Sequence, residues 1–189
     1  MPRPPILEPI DYAPVFNGGK TYAEWLAIAE NPANAQKMED HRKALRLEPA
    51  HAAHLKGIAR VVHVIAIAED WCGDVHLHVP VLELISAAAP SVKVRYIARA
   101  DHPEVFKRFL TNGGEAIPKF VFLNDTFTEC GNWGPMPDAS RRIIARGKGA
   151  GDVGAARKRV SALYEADPNR EHAIGELIAL IDIATCTTP

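Results

Sequence analysis

Between Val61 and Ala68 the chain reads VVHVIAIA, eight residues that are apolar apart from one histidine and mostly β-branched. The run is too short for a buried helix and does not alternate. It suits a strand covered on both faces, as in a parallel sheet flanked by helices. The sequence downstream agrees. Trp71-Cys72-Gly73 leads into a helical stretch to about Ala88, and Pro90 precedes the alternating strand VKVRYIA. Asp101 then caps a helix with Pro103 in its first turn and Val105, Phe106, Phe109 and Leu110 turned inward, and TNGG ends it. Two successive strand-helix units imply a parallel pair. After Ile117-Pro118, the segments KFVFL and TFTEC, separated by Asn124-Asp125, predict an antiparallel hairpin.

Helical segments flank this block. The first twenty residues are rich in proline and contain Asn17-Gly18-Gly19, which predicts an extended or partly ordered surface segment. Thr21 caps a helix over YAEWLAIAE with Trp25, Leu26 and Ile28 on its apolar side. A second helix is expected from about Ala33 to Leu47, before Glu48-Pro49, and a third from His51 to Ala59. Toward the C-terminus come a helix from Asp138 to Ala145, a Gly-rich break and a helix through Tyr164. A last helix follows, capped by Asp167 with Pro168 at its first position, and Ile174, Leu177, Ile178 and Ile181 fall at core spacing. A chain of 189 residues with 47% hydrophobic content can bury one core. The expected division is residues 1–60 as an N-terminal segment and helical appendage, 61–147 as an α/β core and 148–189 as a C-terminal extension, together one compact domain.

Several function classes are disfavoured. A net charge of -1 gives no global attraction to nucleic acid or to an anionic membrane. No apolar run is long enough to span a bilayer and the N-terminus lacks a secretory h-region, so a cytoplasmic protein is expected, its oligomeric state open. Three cysteines, Cys72, Cys130 and Cys186, form no Cys-x-x-Cys pair, which argues against a disulfide framework and against zinc. His51 with His54, and Cys72 with His76, lack a third ligand, and His76 and His78 face apart on a helix, so no metal is expected. Gly149 to Gly154 spells G-x-G-x-x-G, but helical ASRRIIARGK precedes it where a dinucleotide site needs a strand. It reads as an interhelical loop, and no cofactor is expected. The basic run from Arg141 to Arg159, with Asp152 its only acid, reads as a solvated helix face without the aromatic platform of a nucleic-acid binder.

The segment AEDWCGDV, residues 68–75, carries the chemistry. Valine stands at Val75, where a second cysteine would complete Trp-Cys-Gly-x-Cys. With Cys72 at the first strand-to-helix junction of a β-α-β-α-β-β order, the chain resembles the thioredoxin family. Trp71-Cys72-Gly73 matches that family's active-site motif, Pro80 its kinking helix proline, and Ile117-Pro118 its cis-proline. Gly131 matches a glycine that lines the substrate groove after the last strand. EDWCGD, FLTNGGEAIPKFVFL and GNWGPMP further resemble a group of small bacterial thioredoxin-like proteins in which the second cysteine is often absent. The resemblance implies a thioredoxin-like α/β fold, a central mixed sheet in the order β-α-β-α-β-β-α with extra helices at both termini.

It also implies a site. Cys72 would be a lone nucleophile supported by Trp71, Gly73, Asp74, Val75 and His76, with Ile117, Pro118, Cys130, Gly131 and Trp133 forming the substrate groove. Val75 cannot resolve a mixed disulfide, Ala66 replaces the buried acid that moves a proton in the family, and Met136 replaces an arginine of the Trp-Gly-Pro-Arg-Pro loop. Ordinary dithiol reduction is therefore not expected. The expected substrates are a protein disulfide or a low-molecular-weight thiol, with an external thiol as resolver. The rival expectation is a redox-inactive module that binds a peptide or protein partner. A helix N-terminus and a protonated His76 would lower the Cys72 pKa, whereas Asp74 and burial would raise it. A bridge from Cys72 to Cys130 would require Cα atoms within about 7 Å.

Overall fold

The structure is a computed structural model that describes residues 9–186. Its sheet comprises β1 (Val62–Ile67), β2 (Val92–Ile97), β3 (Lys119–Leu123) and β4 (Glu129–Trp133), in the order β2-β1-β3-β4. β1 pairs parallel with β2 and antiparallel with β3, and β3 pairs antiparallel with β4. The apolar run after Val61 takes the central place that its lack of alternation requires, with Val64, Ile65, Ala66 and Ile67 fully buried. β2 lies at the edge and alternates between buried and accessible positions along most of its length.

Helices α1 (Tyr12–Gly18), α2 (Tyr22–Ala27), α3 (Pro32–Ala44) and α4 (Pro49–Lys56) precede the sheet. Helix α5 (Gly73–Ala88) joins β1 to β2, and α6 (Pro103–Phe106) with a 3-10 turn (Lys107–Phe109) lies between β2 and β3. Helices α7 (Asp138–Gly149), α8 (Val153–Ala166) and α9 (Glu171–Thr185) complete the order. α5 is apolar around most of its girth because α3 and α9 pack on it as well as the sheet. Met38 of α3 is fully buried. α9 lies along β4 with Ile174, Leu177, Ile178 and Ile181 buried. Gly131 allows that approach, since a Cβ there would stand 2.8 Å from Leu180 Cδ2. No helix among the described residues is long and apolar enough to cross a membrane.

Five expectations change. The proline-rich start was expected extended, but Asp11 accepts the Ala13 N–H and caps α1, which buries Tyr12, Val15 and Phe16; residues 1–8 lie outside the described residues. Thr21 and Glu24 form a reciprocal capping box at α2 and Trp25 is buried, yet Ile28 falls beyond the helix and is 60% exposed. In the hairpin, Asn124 takes the N–H groups of Thr126 and Thr128 on its side chain, so the turn continues to Thr128 and the second strand is ECGNW rather than TFTEC. Asp101 folds back onto the Ala98 N–H, leaving His102 at the N-cap of α6. The last helix begins later than the proline suggested, at Glu171, although Asp167 still accepts the Glu171 and His172 N–H groups.

Candidate functional site

Cys72 is the N-cap residue of α5, at the C-terminal end of β1, with extended backbone angles and a partly exposed side chain. Its sulfur donates to the Ile117 carbonyl at 3.4 Å. The Ile117-Pro118 peptide bond is cis, and so is Gly134-Pro135. These two loops abut. Gly134 has φ +117 and a Cβ there would lie 2.1 Å from the Pro118 carbonyl oxygen, so only glycine fits. The buried Lys119 amine ties the loops by donating to Gly134 O at 2.8 Å, and burial lowers its pKa to about 8.

The electrostatics of Cys72 oppose one another. Burial pushes its thiol above the ordinary value and is the largest influence; the Val75 and Asp74 N–H groups at the helix start favour the thiolate, and the carboxylates of Asp74 and Glu69 disfavour it. Asp74 is itself pushed up to about 6 by burial, which the Arg157 cation only partly offsets. Val75, in the position of the absent second cysteine, is fully buried in the core. Gly73 begins the helix, and a Cβ there would meet nothing within 4 Å.

Trp71 is 54% exposed beside Cys72. Its indole N–H donates to Glu69 at 2.8 Å, and the Arg99 guanidinium lies 5.4 Å from its ring centre. Arg99 also forks onto Glu69 at 2.9 and 3.0 Å and reaches Glu115 at 3.0 Å. Its field favours an ionised Cys72. Arg99 belongs to the site although the sequence reading missed it; its position just past the end of β2, where α/β sheets gather functional groups, was the available signal.

Other expected site residues lie elsewhere. His76 does not support the thiol: it is buried, its Nε2 is bonded to the Asp70 carbonyl, and its own carbonyl bonds His41 Nδ1 at 3.1 Å. The cause is α3, whose packing on α5 turns that face inward. Cys130 and Gly131 are not in the groove. They sit toward the far end of β4, opposite Phe122 and Leu123, whereas Cys72 lies near the Lys119 end of β3. All three cysteines are free. Gly134, not Gly131, is the glycine against the cis-proline. Trp133 lies beneath the site rather than in its wall: it is buried, stacks on Phe120 and donates to Glu176 Oε2 at 2.6 Å. Behind it, fully buried His78 meets Tyr164 of α8 at 3.3 Å, and burial lowers its pKa to about 3. No cluster of three or more metal-binding side chains occurs among the described residues.

A family profile described as Thioredoxin matches residues 19–148. A crystal structure of a protein of unknown function from Pseudomonas aeruginosa superposes with a TM-score of 0.72 at 22% identity, covering 90% of this chain and 96% of that one. An HIV epitope-scaffold superposes with a TM-score of 0.71 at 20% identity, covering 90% of this chain and 97% of the other. No curated protein matches the sequence. At these identities the structural likeness concerns the fold: a mixed four-stranded α/β arrangement with helices on both faces.

Proposed function

Because the chain belongs to the thioredoxin family, we propose that it is a monothiol exchange protein acting through Cys72. The observation that carries this reading is that the Cys72 sulfur meets the Ile117 carbonyl before the cis-proline, with the side chain of the preceding residue, Trp71, exposed. The Cys72 thiolate attacks one sulfur of a protein disulfide or of an oxidised low-molecular-weight thiol. A new S–S bond forms to Cys72 as the old one breaks, and the departing sulfur leaves as a thiolate that takes a proton from solvent. Val75 offers no second sulfur, so an external thiol such as glutathione or a partner cysteine must attack the mixed disulfide and restore Cys72. Burial keeps the thiolate fraction small at neutral pH, while a thiol of higher pKa is the stronger nucleophile once ionised. The first step is slow and steeply pH-dependent, and the adduct persists until the external thiol arrives.

The raised thiol pKa favours one other reading, a redox-inactive groove that holds an extended peptide or protein partner and keeps Cys72 for packing. A chain carrying Cys130→Ser and Cys186→Ser separates the two. It is incubated with oxidised glutathione across a pH series and followed by intact mass. A single adduct is expected, growing with pH, absent in the added Cys72→Ser variant and removed by reduced glutathione. A folded protein that stays free of adduct even at alkaline pH leaves the binding module.

A further inference from the structure

A second recess opens on the other side of Trp71, at the C-terminal ends of β1 and β2, with a volume of about 330 Å³. Trp25 and Tyr96, stacked 4.9 Å apart, form its inner wall. Its rim carries Ile28 and Trp71, large apolar side chains that are 60% and 54% exposed. The recess exists because the N-terminal helices fold over the sheet: Lys20 pairs with Tyr96, and α2 follows directly.

Its charge is unbalanced. Asp70 is only 8% exposed and lines the recess, yet it has no ion-pair partner among the described residues. The two hydrogen bonds it takes, from Asn31 N at 3.2 Å and Asn34 Nδ2 at 3.3 Å, both fall on Oδ2. Oδ1 takes no hydrogen bond among the described residues and is not shut off from solvent, so it is free to accept one from a cation that enters the recess. Glu30 at the rim has no hydrogen bond or ion pair within the described residues, and Asp101 is held by the Ala98 N–H. Glu69 is neutralised by Arg99, and Lys20 is the one cation of the lining. Aromatic walls, an apolar rim and excess carboxylate together suit an aliphatic chain that ends in a positive charge.

We propose that this recess binds a lysine or arginine side chain of the polypeptide that engages Cys72. Trp71 is shared by the recess and the thiol site, so a segment lying along Ile117-Pro118 can place a neighbouring basic residue against Asp70 and Glu30. The identity of the donor polypeptide rests on the exchange reading above; the cation site does not.

The test uses full-length Cys72→Ser protein, which cannot exchange, labelled with nitrogen-15. The side-chain N–H signals of Trp25, Trp71 and Trp133 are followed during titration with Nα-acetyl-lysinamide. Trp25 and Trp71 are expected to move in a saturable way while Trp133 stays still. The dissociation constant should rise roughly fivefold or more in Asp70→Asn and in Glu30→Gln, and again at high salt. The exposed Glu30 variant keeps the test valid if Asp70→Asn perturbs the fold. Nα-acetyl-norleucinamide binding as tightly as the lysine probe, constants unchanged in both variants, or no saturable shift would each overturn the proposal. Saturable lysine binding in a protein whose wild type forms no glutathione adduct would leave the cation site standing and remove only the exchange reading.

Discussion

Replacing Asp74 with asparagine separates burial from charge at the thiol site. Burial pushes this carboxyl from 3.8 up to about 6, a preference for the neutral form of about 3 kcal/mol at 1.36 kcal/mol per tenfold change. A folded-state pKa above the unfolded value means that the native protein holds the proton more tightly. The contribution to stability is therefore fully present below pH 3.8 and is lost as pH rises through about 6. At pH 4 the unfolded carboxyl is already more than half ionised, so between pH 4 and 8 the loss is about 2 kcal/mol. Asparagine keeps the shape and does not titrate. Urea unfolding at both pH values should show wild type losing about 2 kcal/mol more than Asp74→Asn across that interval, with the contributions of other groups common to both proteins. The Cys72 thiol should titrate lower in the variant, because Asp74 is one of the charges that hold it up. It should stay above the ordinary thiol value, since burial is the larger cause. Equal pH dependence of stability in the two proteins, with an unmoved thiol, would refute this account of the site.

Three further outcomes are expected. Gly134→Ala forces a Cβ to 2.1 Å from the Pro118 carbonyl at a φ of +117, which should cost about 2–4 kcal/mol in denaturant unfolding and slow alkylation of Cys72. His78 is lowered from 6.5 to about 3 by burial, so its stabilising neutrality is present above pH 6.5 and lost as pH falls below it; wild type should lose about 2 kcal/mol by pH 5 from this group, and His78→Leu should not. Arg99→Met removes the cation whose field favours the Cys72 thiolate, so iodoacetamide should react more slowly with Cys72 at pH 8, while Lys107→Met on the neighbouring 3-10 turn leaves the rate unchanged.

Much of the core was legible because its signals are local. The unbroken apolar run at β1, the helix start at Gly73 and the spacing of Ile174, Leu177, Ile178 and Ile181 each report burial directly. The position of Cys72 at a strand-to-helix junction follows from the same pattern. What escaped depends on contacts between distant segments. His76 was given a role from its place one turn after Cys72, but α3, more than thirty residues earlier, decides where that ring points. Cys130 and Gly131 were assigned to the groove on the assumption that β4 ends there; the Asn124 turn moves the strand along and brings Gly134 to Pro118 instead. Asp70 had no assigned role in the motif before Trp71, and only the docking of the N-terminal helices makes it a buried acid at the edge of a recess.

The pairing of Lys20 with Tyr96 reaches beyond the recess it helps to form. β2 is an outer strand of the sheet, with outward backbone groups that invite another strand. Lys20 occupies both hydrogen-bonding groups of Tyr96, at 2.9 and 2.8 Å, and Gly19 lies so close that a Cβ would meet Arg95 Cβ at 2.8 Å. The chain thus supplies its own edge cap next to Trp71. An incoming strand cannot add to the sheet at that end of β2, which protects the protein from edge-to-edge association and leaves an extended partner to approach Cys72 along the Ile117-Pro118 side.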